Sequence, residues 1–129
     1  MENSMMKEDM FLDIVKTNGM MIKHITNPSE AVQLAAVQEY AFSIKHITNP
    51  SEAVQLAAIE NTVESFINIH NPTELVCRMA VKKNPTYIRY IESPSDDVQL
   101  IAVQADPYLI GWIRSPSVAT RLVAYSYSG

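Results

Sequence analysis

The chain has 129 residues, of which 47% are hydrophobic and 19% charged, with a formal net charge of −4; that is too apolar for a disordered chain and the size of one ordinary domain. No stretch approaches the roughly 20 apolar residues of a membrane span, and the first ten residues lack the basic start and apolar core of a secretory leader. The single cysteine, Cys77, excludes an internal disulfide and any multi-cysteine metal site, so a soluble cytoplasmic protein is expected.

A repeat organises the rest. Prolines stand at 28, 50, 72, 94 and 116, each 22 residues from the last, and the same ruler falls on Ile25, Ile47, Ile69, Ile91 and Ile113 and on Ala36, Ala58, Ala80, Ala102 and Ala124. Three columns in phase, with no insertion, define repeat units. In chain order, residues 1–27 read as a degenerate N-terminal capping unit; units follow at 28–49, 50–71, 72–93 and 94–115, with a truncated one at 116–129, all within a single domain. The segments 22–37 and 44–59 differ only in Val37 against Ile59, as an internal duplication would leave them.

Each unit announces its own helices. Asn27-Pro28-Ser29-Glu30 reads as an N-cap, a proline at the first helical position and a glutamate able to reach back to the cap, which predicts a helix over Pro28 to Gln38. The pattern returns at Asn49, Asn71 and Ser93, and at Ser115 without the acid. A second start follows about 13 residues after each proline, plainest in Asn84-Pro85 and Asp106-Pro107, and opens a helix of about two turns that the next cap ends. The fold class is all-α, built from about five helical hairpins of one long and one short helix. A hairpin this short cannot bury itself, because isolated helices below roughly 12 residues are marginal in water. The long helices are apolar nearly all round, so neighbours must stack on them in the manner of a solenoid. The alanine column becomes the close helix–helix contact. Ile22, Ile44, Phe66, Ile88 and Ile110 become the buried edge of the short helices, while Gln33, Gln55 and Gln99 suggest a ladder of side-chain amides between units.

The phrase Asn-Pro-Ser-Glu-x-Val-Gln-Leu-x-Ala-Val, followed by Ile-x-x-Ile and another Asn-Pro-Ser, resembles short helical repeats of phage and bacterial proteins and is similar to leucine-rich-variant and HEAT-like repeats. The resemblance covers about residues 18 to 126. It implies a right-handed superhelix whose short helices are in part 3₁₀, and it brings no catalytic residues with it. Unit three departs from the pattern at Cys77-Arg78-Met79. By analogy, a phage-encoded chain of this kind would act in the host cytoplasm as an inhibitor of a host defence protein.

Where a scaffold is fixed, the positions that vary are the place to look for recognition. In the short helices, two such columns lie four residues apart and share one ridge, and a third runs beside them. They hold Lys23 with His24, Phe42 with Lys45 and His46, Arg89 with Tyr90, and Tyr108 with Trp112. Aromatic and basic side chains facing out are common protein-interface anchors; the same rings could instead fill grooves between hairpins. Tyr125 joins the candidates because it stands where the other units carry Val or Ile. An uncovered repeat end invites self-association. The expected partner is therefore a protein, with a homo-oligomer through an end as a further expectation.

No catalytic, cofactor-binding or metal-ligating set emerges, and the chain reads as non-enzymatic. Three glycines cannot form a phosphate loop, and the acids after each proline belong to caps. His24 and His46 lie in adjacent units with no third ligand to converge at about 2.1 Å on a zinc ion. Cys77, in an apolar helix, reads as a buried thiol. A chain with an acidic total does not resemble a nucleic-acid binder. The acids concentrate before residue 65 and the bases after it, so a nucleic-acid-binding repeat using Lys23, Lys45 and Arg89 stands as the alternative. A structural spacer is a third reading.

Overall fold

The computed structural model describes the backbone of residues 2–126 and the side chains of residues 6–126. Met1 and Met5, two of the six methionines that crowd the N-terminal segment, have side chains outside this range. All regular structure among the described residues is helical. Six α-helices alternate with five 3₁₀-helices: α1 (Glu2–Thr17), η1 (Gly19–His24), α2 (Glu30–Glu39), η2 (Ala41–His46), α3 (Glu52–Asn61), η3 (Val63–Asn68), α4 (Glu74–Lys83), η4 (Pro85–Tyr90), α5 (Asp96–Ala105), η5 (Pro107–Trp112) and α6 (Val118–Ser126). The short helices are thus 3₁₀ throughout, six residues each, longer than most such runs.

The α-helices start two residues later than the prolines suggested. Ser29, Ser51, Thr73 and Ser95 are the N-caps, their hydroxyls accepting from Val32, Val54, Val76 and Val98. The acid after each serine or threonine cap, Glu30, Glu52, Glu74 or Asp96, is therefore the first helical residue, close to the positive helix end, and is not the back-bonding member of a capping box. Asn27, Asn49 and Asn71 take left-handed backbone (φ 51°, 52° and 56°). Asparagine tolerates that region far better than most residues, so it turns the chain into Pro28, Pro50 and Pro72. At Asn84 and Asp106 the expected caps do form, each side chain accepting from the backbone N–H two residues on, with proline at the first helical position.

Two compact units divide between Pro72 and Thr73. In the first, α1 packs on α2 and α2 on α3, while η1 packs on η2 and η2 on η3. In the second, α4, α5 and α6 pack in the same succession, and η4 packs on η5. The repeat columns form the core. Val32, Val54, Val76 and Val98 are buried to 1% exposure or less, as are Ala36, Ala58, Ala80 and Ala102. Ile22, Ile44, Phe66 and Ile88 are buried as their column requires, whereas Ile110 is only half-buried and the neighbouring Leu109 is buried in its unit.

The glutamines bond first within their own units, and Gln99 also reaches the next one. Each of Gln33, Gln55 and Gln99 donates its amide to the proline carbonyl five residues back in its own unit, at 3.0, 3.1 and 3.0 Å. This clips the turn onto the helix that follows it. Gln99 also joins neighbours: its amide oxygen accepts from the Ser117 N–H at 2.9 Å and from the Thr120 hydroxyl at 3.0 Å. Unit three's departures are absorbed locally, since Cys77 is buried and Arg78 pairs with Glu74 at 2.7 Å.

Candidate functional site

The ridge residues fall into two groups, one in each compact unit. In the first, Lys23 and His24 end η1, and Lys45 and His46 end η2. All four are exposed. The His46 imidazole is held below its ordinary 6.5, first by desolvation and then by the charges of Lys45, Lys23 and His24, which makes this a small basic cluster in an otherwise acidic half of the chain. Phe42 stands apart from it, half-buried and tilted against Tyr40 with ring centroids 5.6 Å apart. Tyr40, 44% exposed, was not among the residues singled out from sequence, because it is the C-cap of α2 and outside the ridge columns.

The second group is more closely knit. The Arg89 guanidinium lies 5.0 Å from the Tyr90 ring centroid and 5.3 Å from that of Trp112. Tyr90 is in turn tilted against the buried Tyr87 at 5.9 Å. The 3₁₀ geometry explains the meeting: η4 and η5 pack side by side, and Tyr90 and Trp112 occupy the same repeat position one unit apart. Tyr90 and Trp112 are about half exposed and Tyr108 is 90% exposed, so Tyr108 fills no groove. Tyr108 begins beside the Asp106 cap, which fixes its backbone while its ring projects. A cation held over two half-exposed rings keeps its charge and donors available on the side away from them.

Tyr125 lies on neither group. It sits on α6 at 61% exposure together with Val118 and Leu122, at 62% and 67%. The repeat spacing flagged Tyr125 alone; Val118 and Leu122 share its face at the four- and three-residue intervals of a helix.

Two shallow grooves, of about 250 and 280 Å³, lie at the turns. One holds Pro94, Gln99 and Arg114; the other holds Pro28, Gln33 and His46. They are the same place three repeats apart, each beside a glutamine that clips a proline turn. The Cys77 thiol is pushed up to about 11 by burial and, secondarily, by Glu74, so it is protonated and unreactive at neutral pH. Among the described residues no three His, Cys, Asp or Glu side chains are grouped to hold a metal ion, and no helix is long and apolar enough to cross a membrane.

No family model matches the chain, and neither a curated protein nor a solved structure is significantly similar to it.

Proposed function

We propose that this chain is a right-handed α-solenoid of 22-residue units acting as a non-enzymatic protein-binding module, with the η4–η5 ridge as its contact surface. One observation supports this above all: Arg89 is set between Tyr90 and Trp112, with Tyr108 exposed on the same short helix as Trp112. These residue types dominate interface energetics, and an arginine pre-positioned on its own aromatics loses less freedom on binding than one that is loose in water. The mechanism is steric: a rigid ridge occupies a surface of a larger protein, as an inhibitor of a defence protein would.

Affinity capture with the full chain, followed by reconstitution of the captured partner, tests the reading. Arg89→Ala and Trp112→Ala are each expected to weaken the complex by about 30-fold, and Lys7→Ala, outside the ridge, to leave it unchanged. A complex indifferent to both ridge substitutions refutes the assignment. Capture of nucleic acid instead, with affinity falling about 40-fold between 50 and 200 mM salt as three phosphate contacts require, would transfer the ridge to the alternative reading.

A further inference from the structure

The two terminal α-helices carry apolar stripes on the faces turned away from their neighbours. On α6, Thr120 and Ala124 are buried, at 0% and 3%, and α6 packs on α5. Val118, Leu122 and Tyr125 lie on the opposite side, more than 60% exposed. The repeat says what the Tyr125 end of this face receives. Tyr125 holds the position of Val37 in α2 and Val103 in α5, both fully buried, and each of those helices has a further α-helix packed beyond it. On α1, Val15 is fully buried and the helix packs on α2. Its far side shows Met6, Met10 and Ile14, at 63%, 58% and 39% exposure, one turn apart.

The charges flanking the stripes are opposite. Asp9 and Asp13 border the α1 stripe on one side and Lys7 on the other, so acids outnumber bases there, and Arg121 is the charge that borders the α6 stripe; all four are exposed. The compact unit that contains α1 carries −5, and the one that contains α6 carries +1. Two α1 faces would set acid against acid, and two α6 faces would set arginine against arginine, whereas α1 on α6 pairs opposite signs. We propose that the chain self-associates head to tail, the outer face of α1 of one copy seating on the outer face of α6 of the next, as the α-helices within each unit already seat on one another. Methionine suits the entering side, because its flexible thioether fills an irregular surface. The contact is heterologous, so each added copy leaves one face of each kind open until a ring closes.

Sedimentation velocity on the full chain tests this through two single-end variants. The wild type is expected to gain mass with concentration, from the 14.5 kDa of one chain past that of two. Met10→Glu blocks the α1 face and Leu122→Glu blocks the α6 face. Both sites are solvent-exposed, and circular dichroism verifies that each variant folds. Each variant alone is expected to stay at one chain; mixed in equal amounts they are expected to form one dimer and stop there, since each retains the face the other lacks. A wild type that stays at one chain at millimolar concentration overturns the proposal. So does a Met10→Glu variant that still dimerises by itself, which would mean an α6–α6 contact, or a Leu122→Glu variant that does so, which would mean α1–α1. So does a mixture of folded variants that fails to associate.

Discussion

Gly19 sits where the first short helix meets the last turn of α2, and replacing it by alanine isolates one physical effect. A Cβ there would come 2.4 Å from the Ala36 carbonyl oxygen and 2.8 Å from the Ser43 hydroxyl. The carbonyl cannot simply swing away, because it accepts the Tyr40 N–H at 2.9 Å in the bond that ends α2. Gly19 also donates its own N–H to the Glu39 carboxylate, which ties it down on the other side. The backbone itself would accept alanine, since no glycine among the described residues has positive φ. Overpacking of this kind costs about 1–3 kcal/mol, and the smaller conformational freedom of the unfolded alanine chain returns about 0.4–1 kcal/mol. The net is a loss of about 1–2 kcal/mol, or a fall of about half to one molar in the urea midpoint at unchanged slope. Gly111 is the control, because a Cβ there meets nothing within 4 Å. Gly111→Ala keeps only the entropic term and is expected to raise stability by about 0.4–1 kcal/mol. Urea titrations followed by circular dichroism measure both. Gly19→Ala at or above wild-type stability, or shifts of the same sign for the two variants, would refute the reasoning.

Three further outcomes follow from the packing. Ile44→Ala, at a site 1% exposed, is expected to cost about 2–5 kcal/mol in the same titration. Gln99→Ala removes a clip that also accepts from Ser117 and Thr120, and is expected to cost about 1–3 kcal/mol; Gln33→Ala, which gives up the Pro28 clip, should cost distinctly less. Cys77 is expected to resist a disulfide reagent at pH 8 in the native protein and to react at once in denaturant. Because its folded value is raised from 9.0 to about 11, the stability it contributes is intact below pH 9 and is lost as pH climbs from about 9 toward 11. Cys77→Ala should flatten that part of the stability–pH curve.

The helical alternation was legible because proline acts on the backbone directly. A ring that fixes φ and removes a donor at every twenty-second residue leaves few places for a helix to begin or stop. The exact cap was not legible, since Asn27 and Ser29 are both good caps by type and only the left-handed turn at Asn27 decides between them. The glutamine column was legible in part for a related reason: its apolar neighbours show that it needs partners, while one of them, a proline carbonyl five residues back, is set by the turn's shape. At the candidate site, spacing placed Arg89, Tyr90, Tyr108 and Trp112 on one ridge, but could not show that Arg89 reaches across to Trp112. That depends on how closely η4 and η5 pack. The stripe of Val118 and Leu122 escaped notice because aliphatic residues are ordinary in every one of these helices, and only their exposure sets the last helix apart.

The hydroxyl caps have a direction built into them. Ser29 donates to Glu8 of the helix before it, Ser95 donates to Glu74, and the Ser117 N–H is met by Gln99. In each case the start of a helix is completed by a residue already behind it in the chain. A protein leaving the ribosome N-terminus first thus exposes these three acceptors before the donors that need them, so each of these α-helix starts can lock as it emerges. Shortening the chain from its far end would leave the Ser29 cap its acceptor, whereas trimming Glu8 from the front would orphan it.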